Sequence, residues 1–189
     1  MARGQRIETM LRPLSETGMQ AYLGTGLHVL GLLDWILSQT GPAHVYLSTF
    51  STSEQFLNGF LRLRKKGLIL YAAMLADLKA SRKTVNLTGL MRSCFDNVYL
   101  SQNHSKIILV FNDTWNIAVV TSQNQTYGDR AEATVICTDR PFFNDIYRGF
   151  SSMVNDKSYR LDGLFSRDTE ENRGDGIRDD GTAGGGCAP

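Results

Sequence analysis

The stretch from His104 to Glu132, HSKIILVFNDTWNIAVVTSQNQTYGDRAE, holds the residues of this sequence best suited to chemistry. Residues two apart in a strand share a face, so His104 and Lys106 project together. An imidazole beside a fixed cation suits phosphate chemistry, because the cation holds the anionic group while the imidazole acts on phosphorus. Asn112-Asp113 reads as a hairpin turn. That turn returns Thr121-Ser122-Gln123-Asn124 to His104, where Ser122 and Asn124 offer neutral donors to phosphoryl oxygens. A two-residue turn sets His104 opposite Thr121. A three-residue loop sets it opposite Ser122, with Asn124 on the same face. The functional reading requires the second register or an equivalent bulge.

The elements that must position these residues follow from periodicity. From 19 to 37 the apolar residues recur at helical spacing, and Gly41-Pro42 stops that helix. HVYLSTF (44–50) is aromatic and β-branched and reads as a buried strand. Ser51-Thr52-Ser53-Glu54 reads as a capping box. Phe56, Leu57, Phe60, Leu61 and Leu63 then line one helical stripe that ends in Arg64-Lys65-Lys66-Gly67, and cations in a last turn suit the helix dipole. LILYAAML (68–75) follows as the next strand. Strand, helix, strand is a βαβ unit, which predicts parallel pairing in a mixed α/β domain with a central sheet flanked by helices. After an irregular stretch (76–95) come strands at 97–100, 104–111, 115–122 and 133–138. Pro141 opens a helix that runs to about 155.

The motif residues resemble the phospholipase D superfamily, whose signature is H-x-K, a downstream Asp, and a G-S-x-N-like segment. Here they read His104-Ser105-Lys106, Asp113 and Thr121-Ser122-Gln123-Asn124, with Glu132 matching the family's trailing acid. The HVYLSTFSTSEQF passage and the helix after Pro141 fit too, so the likeness covers about residues 40–156. Six residues separate Lys106 from Asp113 where the family has four, and Thr121 stands where glycine is usual. The family's site uses two such motifs, whereas neither His28 nor His44 is followed by lysine two residues on. A single motif resembles the small bacterial endonucleases of the superfamily, which complete one site from two identical subunits.

The resemblance implies a phospholipase D-like layered sandwich and a metal-independent phosphodiesterase, acting through a phosphohistidine in a homodimer. His104 would be the nucleophile and, from the second subunit, the acid. Lys106, Asn124 and Ser122 would bind the nonbridging oxygens, and Glu132 would orient the imidazole. The apolar hairpin flanking this segment is the expected dimer surface. No cofactor is expected, and no Asp/Glu/His cluster has metal-ligand spacing.

Charge narrows the substrate. Residues 1–160 hold 17 bases and 12 acids, while residues 161–189 hold 3 bases and 7 acids. Eight bases (Arg62, Arg64, Lys65, Lys66, Lys79, Arg82, Lys83 and Arg92) lie between Phe60 and Arg92 with the single acid Asp77. Such a stretch reads either as a solvated helix end and loop or as a phosphate-backbone track beside the site, which favours nucleic acid as partner. No aromatic-rich base-reading motif accompanies it. The alternatives are a phospholipid-cleaving or phosphatidyl-transferring enzyme, and a non-catalytic nucleic-acid-binding protein on the same fold. No apolar run spans a bilayer and no h-region marks a leader, so stable membrane insertion is not expected and a cytoplasmic setting is. Three cysteines without a C-x-x-C pair give neither a disulfide framework nor a zinc cluster. The expected organisation is an N-terminal helical extension (1–40), the catalytic domain (41–160) and a disordered, acidic, Gly/Asp-rich tail (161–189).

Overall fold

The computed structural model describes residues 7–80, 86–126, 128 and 130–161. Arg82, Lys83 and the tail beyond Leu161 lie outside them.

The strand–helix–strand pattern gives the centre of the molecule. Strand β2 (Ala43–Thr49) is followed by helix α2 (Glu54–Lys65) and strand β3 (Ile69–Asp77), and the two strands pair in parallel. Helix α3 (Thr88–Cys94), within the stretch expected to be irregular, carries the chain to β4 (Asn97–Ser101), parallel to β3. The hairpin β5 (Ile107–Phe111) and β6 (Asn116–Thr121) joins the other side of β2, followed by β7 (Glu132–Cys137), helix α4 (Arg140–Lys157) and the short β8 (Tyr159–Arg160). The sheet has eight strands in the order β1-β7-β6-β5-β2-β3-β4-β8, and every pairing except β2–β3 and β3–β4 is antiparallel.

One element departs from expectation. The predicted helix over 19–37 is divided into strand β1 (Met19–Gly24), antiparallel to β7, and helix α1 (Val29–Thr40). Apolar residues at 19, 22 and 23 match a helical stripe, yet β7 offers a free edge whose backbone groups need partners. Gly41 closes α1 with φ 72°, its N–H donating to the Leu37 carbonyl.

Helices α1, α2 and α3 cover one face of the sheet. Leu33, Ile36, Leu47, Leu57, Phe60, Met74 and Ile108 form the fully buried centre of that core. Helix α4 covers the other face through Phe143 and Phe150 against Leu75, Leu109 and Ala118. Asp139 caps α4 by accepting from the Phe142 N–H, and Ser53 caps α2 by accepting from Phe56. Glu54 is therefore the first residue of α2, where it suits the dipole, instead of the reciprocal partner of a capping box. Cys94 and Cys137 are buried fillers. Among the described residues no helix is long and apolar enough to cross a membrane.

Candidate active site

Residues at the C-terminal ends of β2 and β3 hold the segment that carries His104. Asn103, 4% exposed, lies at the hub. Its N–H donates to Asp77 (2.8 Å), and its amide nitrogen donates to Ser48 Oγ (2.9 Å) and to the Leu75 (3.1 Å) and Thr49 (3.3 Å) carbonyls. Its Oδ1 accepts from both the N–H (3.0 Å) and the hydroxyl (2.6 Å) of Ser105. Ser48 and Ser105 share a hydrogen bond, and Asp77 also accepts from the Lys79 N–H. A buried carboxylate and amide with their partners in place hold a loop in one conformation. None of this group was among the sequence candidates. Its only sequence signals are Asn103 beside the histidine and Asp77 as the lone acid in a basic stretch.

His104 therefore sits on an irregular connection before β5, where a strand from 104 was expected. It still projects with Lys106, whose Nζ lies 3.1 Å from His104 Nδ1 and donates to the His104 carbonyl at 2.7 Å. The Phe50 ring backs both, its centroid 4.9 Å from that of His104 and 5.9 Å from the Lys106 ammonium. Burial lowers the Lys106 pKa from its ordinary value, against the upward pull of Glu132. Glu132 opens β7 and accepts a hydrogen bond from the Ser122 hydroxyl, which in turn accepts from the Ala133 N–H (3.0 Å). His104 and Lys106 thus form one contact pair and Glu132 and Ser122 another. Within the chain the carboxylate is held by Ser122 and its charge acts on Lys106.

The hairpin register matches neither alternative. Phe111 pairs with Asn116 and Ile107 with Val120, and Thr121 donates to the Lys106 carbonyl. Asn112 is itself paired, its N–H donating to the Trp115 carbonyl while its Oδ1 accepts from Thr114 and Trp115. The turn is therefore Asp113-Thr114, one step later than predicted. Asn124 lies beyond the end of β6. It lines a cavity of about 60 Å³ with His28, Ser53 and Phe56, and its buried Oδ1 has no partner. His104 instead opens onto a separate cleft of about 400 Å³ walled by Leu75, Ile107, Ile146, Phe150 and Met153.

The basic stretch is divided. A parallel β2–α2–β3 unit returns α2 to the start of β3, so Arg62, Arg64, Lys65 and Lys66 lie at the Ala43–Ile69 end of the sheet. His104 lies at the Thr49–Asp77 end, ~20 Å away along β2. Arg64 is also bound within the fold: it pairs with Asp96 at 2.6 and 2.9 Å and donates to the Cys94 carbonyl, at the end of α3 that carries Arg92. Only Lys79, exposed just beyond β3, stands at the site end among the described bases of this set. Among the described bases, Arg62, Arg64, Lys65 and Lys66 stand away from His104, because the crossover separates residues that sequence brings together.

No family model and no curated protein matches the chain. Solved structures do. The phospholipase D family member Nuc from Salmonella typhimurium has a TM-score of 0.55 at 14% identity, covering 76% of this chain and 98% of its own. The fold is that of the phospholipase D superfamily. NucT from Helicobacter pylori matches with a TM-score of 0.55 at 12% identity, over 74% of this chain and 98% of that one. Polyphosphate kinase from Porphyromonas gingivalis matches at 0.55 and 16% identity over 80% of this chain, which spans only 28% of that enzyme. The phospholipase D fold is thus present here at the length of its small members, and the His104–Ser122 group lies on it.

Proposed function

We propose that the chain is a phosphodiesterase of the phospholipase D type, acting on nucleic acid through a phosphohistidine in a site shared by two copies. The observation that carries this reading is the His104–Lys106–Glu132–Ser122 group at one end of a phospholipase D sheet. An imidazole nitrogen of His104 attacks phosphorus and the bond to the leaving oxygen breaks, while His104 of the partner subunit gives that oxygen its proton. The partner's imidazole then takes a proton from water, whose oxygen attacks phosphorus and breaks the N–P bond, restoring both rings. Lys106 neutralises the nonbridging oxygens and Ser122 donates to them.

The need for a second copy is chemical, since one chain supplies one imidazole to a reaction that uses two. A surface suited to it adjoins the group. Met19 and Leu23 on β1 (55% and 79% exposed) and Val120 on β6 share one sheet face with Ala133 and Val135, beyond the reach of α4. Val120 and Ala133 are chain neighbours of the segments bearing Ser122 and Glu132. This face takes in β6 of the hairpin expected from sequence, whereas Ile108, Leu109 and Val110 of β5 are buried in the two cores on either side of the sheet. A stable interface of this kind buries on the order of 1,600 Å² in total.

Hydrolysis of bis(p-nitrophenyl) phosphate tests the reading, with and without chelator and with His104→Ala beside the wild type. Activity that survives EDTA and vanishes with His104 supports it. Activity abolished by EDTA and restored by Mg²⁺ overturns the mechanism. The apolar walls of the His104 cleft favour a second reading, cleavage of a phospholipid, which phosphatidylcholine vesicles in the same assay would reveal.

A further inference from the structure

Four tyrosines far apart in sequence meet beside the candidate site. Tyr46 on β2, Tyr71 on β3, Tyr99 on β4 and Tyr147 on α4 line a cleft of about 250 Å³, closed at its floor by Ala73 and Phe150. The three strand tyrosines project from one sheet face because the registers His44–Tyr71, Tyr46–Ala73 and Leu75–Tyr99 give them a common parity. Tyr46 stacks on Tyr147 with centroids 5.7 Å apart and is tilted 56° to Tyr71 at 5.9 Å. Asn97 donates to the Tyr71 hydroxyl, which fixes that ring. Burial and the neighbouring phenols push Tyr46 up to about 12, so its hydroxyl stays a neutral donor at ordinary pH. Ser151 and Asn155 complete the polar wall, and no acid is among the lining residues.

We propose that this cleft is a nucleobase subsite, in which a base of a single-stranded substrate stacks on tyrosine rings while its edge meets hydroxyl and amide groups. Three observations select this ligand. The walls are π faces with uncharged polar tips, which suit every base. Arg160 is exposed and pairs directly with Tyr99 across β4–β8, which puts a cation on the same sheet face as the strand tyrosines. A cation there favours a nucleotide's phosphate and disfavours an ammonium ligand, the other class that aromatic walls accept. The cleft also adjoins the candidate site: Phe150 lines both clefts, and Tyr46 is two residues from Ser48, which is bonded to Ser105. A base in a duplex keeps both faces stacked on its neighbours, so the cleft selects unpaired strands. Sequence could not reveal this group, because its members come from four elements.

The inference rests on nucleic acid being the substrate, and its test is kept separate from catalysis. Binding of a short single-stranded oligonucleotide containing 2-aminopurine is measured by fluorescence, against the same oligonucleotide with abasic positions. Wild-type protein should quench 2-aminopurine and bind the abasic strand roughly ten-fold more weakly. Tyr71→Leu and Tyr99→Leu should weaken binding of the intact strand by a similar factor, while Tyr71→Phe and Tyr99→Phe, which keep the rings, lose much less. Hydrolysis of bis(p-nitrophenyl) phosphate should be unchanged in all four, which also reports that they fold. Equal affinity for intact and abasic strands, or leucine variants that bind as wild type, would overturn the subsite. Loss of the proposed hydrolysis alone, with base-dependent binding intact, would count against the catalytic reading and leave the subsite standing.

Discussion

Lys106 Nζ lies 3.1 Å from the imidazole Nδ1 of His104 and 2.7 Å from the same residue's carbonyl oxygen. One ammonium therefore touches both the ring and the backbone of the residue proposed to attack phosphorus. Removing it with Lys106→Ala should lower kcat/KM by about 10²–10³-fold, the loss typical of one charge-stabilising donor.

The pH dependence follows from the same pair. Burial lowers the Lys106 pKa from its ordinary 10.5, while Glu132 opposes that shift. The alkaline fall in kcat/KM, as the ammonium loses its proton, should thus begin below the range of a free lysine. Glu132→Gln removes the opposing charge, so the fall should move to still lower pH. A limb that stays fixed, or moves upward, in a pH–rate profile of Glu132→Gln would contradict this coupling.

Asn103 should matter more than its neighbours in sequence suggest. Asn103→Ala removes the side-chain donor to the Leu75 and Thr49 carbonyls and the acceptor of the Ser105 N–H, a loss of about 1–3 kcal/mol by thermal or urea unfolding. It also frees the loop bearing His104, so kcat should fall further than stability does at a temperature where the variant is fully folded. Unfolding midpoints and kcat that both match wild type would show that Asp77 and Ser48 suffice to hold the loop.

Arg64 belongs to the stability of the fold. Burial pushes the Asp96 carboxyl up, but Arg64 and the Ala72 N–H outweigh it and hold it below its ordinary value of 3.8. A carboxylate with a depressed pKa contributes stability above the unfolded value, and that contribution is lost as pH falls through the folded one. Wild type should therefore lose stability below about pH 4, and Arg64→Ala should be less stable at neutral pH with a shallower acid loss. Lys65→Glu with Lys66→Glu, at the same end of the sheet, should leave phosphodiester cleavage unchanged. An Arg64→Ala variant that unfolds as wild type across this range would refute the assignment.

How far the sequence can be read depends on whether a residue's placement is local. β2, α2 and β3 are legible because apolar periodicity, the Ser53 cap and Gly67 all act within a few residues. The His104–Lys106 contact is legible for the same reason. β1 is not, since Met19, Tyr22 and Leu23 satisfy a helical stripe and only the free edge of β7 decides otherwise. The hairpin register is misread at the turn: moving it from Asn112-Asp113 to Asp113-Thr114 changes every pairing beyond it. Asn103, Asp77 and Ser48 are invisible because their partners are 26 to 55 residues away. The basic cluster misleads, because a crossover carries neighbours in sequence to the far end of the sheet.

Subunit mixing tests the shared site most directly. Wild type and a tagged His104→Ala protein are exchanged, and the purified heterodimer is assayed on a phosphodiester. Each heterodimer holds one intact imidazole, so its activity should collapse far below half that of wild type. Half activity per heterodimer, or full activity in a wild-type species that sediments as a monomer, would contradict a site built from two copies of His104.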